Sequence, residues 1–161
     1  MSAAQKPAPA SGQDAAPQTA GSNALSSILF VCGMNAIRSP MAETLARAAL
    51  PRDVFIASAG VQAGSKDPFV DVVLGEDGLS TGRHQPQALD ELDDAYFDLI
   101  ITLSPEAHHI ALELTRTMPV TVEYWPTSDP SGAGDTREQK IAAYRAVREE
   151  LKARIARRFT P

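Results

Sequence analysis

SSILFVCGMNAIRSPMAETLARAAL, residues 26–50, changes character twice along its length. SSILFVC (26–32) is a short apolar run rich in β-formers and reads as a buried strand. PMAETLARAAL (40–50) carries Met41, Leu45 and Ala48 at helical spacing. Ser39 is placed to cap that helix and Pro40 to occupy its first position. The intervening residues 33–38 form a tight connection from the carboxyl end of a strand to the amino end of a helix.

The same alternation repeats downstream. VFIASAG (54–60) reads as a second strand ending in glycine, and Pro68–Gly75 as a helix followed by turns through Gly78 and Gly82. FDLIITL (97–103) is the strongest buried-strand signal, and Ser104-Pro105-Glu106 opens a helix to about Thr115. PVTVEYW (119–125) is the fourth strand and TSDPSGAGD (127–135) a loop. Asp135 with Glu138 resembles a capping box. After it, Ile141, Tyr144, Val147 or Arg148, Leu151 and Ile155 mark an amphipathic helix to about Arg158, with Arg157 and Arg158 at the negative end of its dipole. Strands alternating with helices predict an α/β fold: a four-stranded parallel sheet with helices on both faces, three layers in all. Right-handed crossovers put a ligand crevice at the carboxyl ends of the strands, where the strand order reverses.

Composition narrows the function. The chain has 161 residues, enough for one ordinary domain with a core. Residues 1–24 offer no large apolar side chain after Met1 and read as a disordered tail, neither signal peptide nor structure; the domain spans 25–161. The net charge of −5 is the wrong sign for a general nucleic-acid binder, so an anionic ligand must be held by local geometry. No run reaches the length of a membrane span. A single cysteine excludes an internal disulfide and any Cys-rich zinc site. His108 and His109 point about 100° apart on a helix and read as structural, and the Asp90-Glu91…Asp93-Asp94 run as a solvated acidic surface.

That cysteine, Cys32, lies at the end of the first strand. A connection as short as Gly33-Met34-Asn35-Ala36-Ile37-Arg38 can curl so that successive N–H groups face inward. With a helix dipole behind it, such a nest binds a dianion. Its positive potential favours thiolate over thiol at Cys32. The Arg38 fork can grip two phosphate oxygens at once, and Ser39 can donate a hydrogen bond to the sulfur. A cysteine after a strand is ordinarily an inert core residue; the arginine, the hydroxyl and the helix start that follow point to chemistry.

VCGMNAIRSPMAE (31–43) resembles the signature of the low-molecular-weight protein tyrosine phosphatases and of the arsenate reductases that share their fold, and the resemblance runs from about residue 26 to 159. It implies a flavodoxin-like, Rossmann-like sandwich. It implies Cys32 as nucleophile, Arg38 and the backbone of residues 32–38 as the phosphate cradle, and Asp129 of Asp129-Pro130 as general acid. It also implies a supporting hydrogen-bond network of Asn35, Ser39, Ser58 and His84. The expected substrate is a phosphorylated protein or small phosphate ester, handled in the cytoplasm with no metal or other cofactor and with neither nucleic acid nor membrane as partner. A phosphocysteine intermediate and a bell-shaped pH profile with an acidic optimum follow. Arsenate reduction with an external thiol, and phosphate binding without turnover, are the rival readings.

Three departures from the family pattern stand out. Met34 replaces the usual glycine before the loop Asn, which implies backbone strain if that position needs positive φ. Ile37 replaces a frequent second cysteine, so Cys32 has no internal disulfide partner. Ser131-Gly132 stand where paired aromatics usually line a phosphotyrosine slot. Tyr124 and Trp125, the nearest substitutes, read as core or rim packing.

Overall fold

A computed structural model describes residues 25–92 and 96–160. The tail 1–24, Asp93 and Asp94 therefore lie outside the described residues. Four strands form one parallel sheet: β1 (Ser27–Cys32), β2 (Phe55–Gly60), β3 (Leu99–Thr102) and β4 (Thr121–Tyr124). Four helices separate and follow them: α1 (Arg38–Ala49), α2 (Pro68–Gly75), α3 (Pro105–Leu114) and α4 (Arg137–Phe159). The sheet order is β2-β1-β3-β4. The chain thus leaves β1 in one direction to β2 and the other half lies on the opposite side, so the order reverses between β1 and β3.

Alternation along β1 builds two cores. Ile28, Phe30 and Cys32 face one side, where they pack with Met41 and Leu45 of α1, Val73 and Leu74 of α2, and Tyr144, Val147, Leu151 and Ile155 of α4. Leu29 and Val31 face the other, against Ala107 and Ala111 of α3. The small alanines let α3 lie close to the sheet. The apolar stripe of α1 falls on Met41, Ala42, Leu45 and Ala46, whereas Ala48 is exposed; the helix also begins two residues earlier than its sequence implies.

The caps differ from the sequence expectation in an informative way. Asp67 and Ser104 cap α2 and α3 through their side chains, each followed by proline. The capping box of α4 is Thr136 with Gln139, one residue beyond the Asp135–Glu138 pair: the Thr136 hydroxyl accepts the Gln139 N–H at 3.1 Å and the Gln139 side-chain Oε1 accepts the Thr136 N–H at 3.2 Å. Helix α1 starts at Arg38 after Ile37 and has no side-chain cap. Ser39 is inside its first turn, with its hydroxyl committed elsewhere, and the first N–H groups stay free.

Charges bind α2 to α4. Glu76 takes Arg145 at 2.6 Å and Arg148 at 2.8 Å, while Arg148 also donates to the Val73 carbonyl at the end of α2 at 2.7 Å. Hydrogen bonds from Arg145 and Arg148 hold the Glu76 carboxyl at about 2, well below its ordinary 4.5.

Candidate active site

Residues 33–37 connect β1 to α1 at the reversal of strand order. Their carbonyls turn outward onto the segment after β2: Cys32, Gly33 and Met34 accept from the N–H groups of Val61, Gln62 and Gly64 at 2.8–3.0 Å. Among the described residues, the N–H groups of Gly33, Met34, Asn35, Ala36 and Ile37 find no acceptor in the protein. Five consecutive free donors in front of an uncapped helix have the arrangement of a nest that can receive an anion. Gly60 makes the loop's approach possible, since a Cβ there would fall 2.6 Å from the Asn35 nitrogen and 2.7 Å from the Met34 carbonyl carbon, both backbone.

The left-handed residue in this loop is Asn35, at φ 54°, and not Met34. The expected strain at Met34 is therefore absent; the turn falls on a residue type that tolerates it. Met34 is 47% exposed on the rim. Asn35 is fully buried beneath the loop, and every polar atom of its side chain is used. Its amide donates to Ser39 Oγ and Ser58 Oγ, both at 2.9 Å, and its carbonyl oxygen accepts the Gln87 N–H at 2.9 Å.

This network ends on the sulfur. Cys32 is 1% exposed, with Sγ 3.0 Å from Ser39 Oγ. On the far side, Ser58 donates to Glu43 Oε1 at 2.6 Å. His84 reaches the network only through Glu43, with Nδ1 at 3.6 Å, while its Nε2 is buried without a partner. Sequence reasoning thus finds Asn35, Ser39 and Ser58 but misses Glu43 and Gln87. Glu43 sits within the quoted signature stretch, four residues beyond Ser39 and so on the same face of α1, which is the signal that would have found it.

Arg38 and Asp129 meet at the mouth. Arg38 Nη1 donates to the Thr127 carbonyl at 3.0 Å, and Nη2 lies 3.9 Å from Asp129 Oδ2. Asp129 side-chain exposure is 52%, and its other oxygen accepts the Ser131 N–H at 2.9 Å. Partial burial pushes the Asp129 pKa up, but the Ser131 hydrogen bonds and Arg38 outweigh it, and the carboxyl sits below its ordinary value.

The remaining candidates pack. His108 Nδ1 is 2.9 Å from Thr102 Oγ1 and its ring stacks on Tyr124 at 4.6 Å. Trp125 is buried against Phe30. Neither aromatic forms a slot. Among the described residues no group of three or more His, Cys, Asp or Glu is placed to hold a metal ion, and no helix is long and apolar enough to cross a membrane.

Comparison with known proteins bears on the same stretch. The arsenate reductase of Bacillus licheniformis is 34% identical over 131 residues, covering 81% of this chain and 92% of its own. That of Bacillus subtilis is 33% identical, covering 80% and 91%. Among solved structures, the Erwinia amylovora tyrosine phosphatase amsI superposes with a TM-score of 0.68 at 28% identity, covering 92% of this chain and all of the other. The YwlE arginine phosphatase of Geobacillus stearothermophilus gives 0.68 at 27%, covering 83% and 90%. The model of the low molecular weight phosphotyrosine protein phosphatases matches residues 27–160, nearly the whole described domain. Matched over that span, and with curated relatives at 33–34% identity along four fifths of its length, the chain belongs to the low molecular weight phosphotyrosine protein phosphatase family.

Proposed function

We propose that the protein hydrolyses phosphomonoesters, with protein phosphotyrosine as the leading substrate, through a phosphocysteine intermediate. The observation that carries this reading is a loop of five free amides that starts at Cys32, whose Sγ lies 3.0 Å from Ser39 Oγ, and ends at Arg38, whose Nη2 lies 3.9 Å from Asp129. Cys32 thiolate attacks phosphorus in line with the leaving oxygen, forming the S–P bond as the P–O bond breaks. The amides of residues 33–38 and the Arg38 guanidinium hold the equatorial oxygens. Asp129 gives its proton to the leaving oxygen and then takes one from the water that cleaves the S–P bond, returning thiolate and inorganic phosphate. Asn35, Ser39 and Ser58 keep the loop in its left-handed turn and the Ser39 hydroxyl on the sulfur. The deciding experiment is aryl-phosphate hydrolysis by Cys32→Ser. Turnover should fall to background with thermal stability retained; full activity would overturn the reading.

A second reading rests on the two Bacillus relatives named as arsenate reductases. Arsenate would fill the same nest. Its reduction to arsenite takes two electrons, and Cys32 is the chain's one thiol. Two molecules of an external thiol such as glutathione must then supply them, leaving as the disulfide. Arsenite release that depends on added glutathione, without aryl-phosphate turnover, would favour this reading.

A further inference from the structure

The reversal of strand order brings a second loop to the phosphate cradle. Helix α3 begins just beyond β3, the strand beside β1, so its first turn stands next to residues 33–37. Glu106, the second residue of α3, extends its carboxylate onto the cradle itself. A Cβ at Gly33 would lie 2.7 Å from Glu106 Oε1, 3.6 Å from its carboxyl carbon and 3.9 Å from Arg38 Nη2. Gly33 and its missing side chain therefore make the space that the Glu106 carboxylate fills, at the same mouth as the guanidinium. Yet Glu106 is exposed and, among the described residues, has no ion pair or side-chain hydrogen bond, with Arg38 or any other group. Its charge is left to act on whatever enters.

An uncompensated carboxylate this close opposes a dianion and attracts a cation. The phosphoryl group is held by amides and Arg38 regardless; the part of the substrate beside it feels Glu106. A favourable dipole contact at the start of α3 would also place an acidic residue here, but that role needs no approach to Gly33. Accordingly, we propose that Glu106 is a specificity-determining residue of this site. It selects phosphorylated substrates that carry positive charge beside the phosphoryl group and weakens binding of bare phosphate and of acidic-flanked substrates. The inference rests on the phosphatase reading above and names its substrate class.

The test compares kcat/KM for two phosphotyrosine peptides that differ only in flanking lysines or flanking glutamates. It also measures the dissociation constant of inorganic phosphate. The native enzyme should prefer the lysine-flanked peptide, and Glu106→Gln should reduce that preference by about three- to tenfold and tighten phosphate by a similar factor, the size of one partly screened charge at this range. Gly33→Ala, whose methyl group displaces Oε1, should move phosphate affinity the same way, and adding it to Glu106→Gln should change little further. Glu113→Gln removes the same charge from the far end of α3 and should alter neither quantity. An unchanged peptide preference and phosphate affinity in Glu106→Gln overturns the inference. If the native enzyme hydrolyses neither peptide nor an aryl phosphate, the phosphatase reading falls, and the phosphate titration alone still decides the role of Glu106.

Discussion

Two carboxylate–arginine pairs in this molecule look alike on paper and differ in kind. Glu76 is clasped by Arg145 and Arg148 at 2.6 and 2.8 Å. Asp129 stands 3.9 Å from Arg38, which keeps its short hydrogen bond for the Thr127 carbonyl. Both carboxyls are held below their ordinary values, and both owe part of that to arginine. The tight pair is a closed arrangement: both Glu76 oxygens accept from arginine, and it joins α2 to α4. The loose pair leaves Arg38 Nη2 and one carboxylate oxygen available to a third party. Distance, and not the mere presence of opposite charges, separates a stabilising contact from one suited to a ligand.

Asp129→Asn should break this comparison most. In the proposed cycle Asp129 must carry a proton, although in the free enzyme Arg38 and Ser131 hold its pKa down. A bound phosphoryl dianion engages Arg38 and adds negative charge nearby, and both raise the Asp129 pKa. As pH rises the protonated fraction falls, so native kcat declines on the alkaline side. Asp129→Asn has no proton to lose. Its kcat should drop about 100-fold with poor leaving groups, less with a good one such as p-nitrophenol, and its alkaline limb should flatten. Rates across a series of aryl phosphates and pH values check both effects.

Arg148→Met sharpens the contrast from the other side. Arg148 is buried, and its loss takes the short 2.7 Å bond from the Val73 carbonyl, which keeps only the Glu76 N–H at 3.3 Å, and one of the two arginines from Glu76. Hydrogen bonds to charged groups of this kind contribute about 2 kcal/mol, with methionine retaining some of the packing. Thermal denaturation should show the melting temperature reduced by about 6–10 °C. Aryl-phosphate kcat/KM at 25 °C should stay within about twofold, since Arg148 lies on α4 away from the loop. A large activity loss without destabilisation would mean the seam is coupled to the site.

How much of this is legible in sequence depends on how far apart the partners are. The cradle occupies one uninterrupted stretch, and strand, loop and helix each carry a local signature, so Cys32, Asn35, Arg38 and Ser39 can be singled out from residues 26–50 alone. Ser39 also shows where local reading misleads. A serine just before proline at a helix start is an excellent cap by propensity, but tertiary partners, Cys32 and Asn35, take its hydroxyl. Thr136 displaces Asp135 for a similar reason: Gln139, three residues on, can reach back to it. Gln87 enters the network by its backbone N–H, which any residue type supplies, and Glu106 reaches Gly33 only because the sheet order sets β3 beside β1. Neither contact leaves a trace in residue type or spacing.

Glu76→Gln is the smallest expected effect and the cleanest probe of the clasp. Glu76 has a folded pKa of about 2 against an ordinary 4.5, so its stabilisation is complete above 4.5 and is lost as pH falls towards 2. The native protein should therefore lose melting temperature over that interval. Glu76→Gln has no carboxyl to protonate and should show a shallower slope there, starting from a slightly lower value near neutral pH. The exposed rim of the pair and salt screening keep the difference modest. Melting curves between pH 2 and 7 at low and high salt separate the outcomes. Parallel slopes for both proteins would mean that the acid response comes from other carboxylates and that the clasp acts through geometry, with Arg148 on the Val73 carbonyl as its main tie.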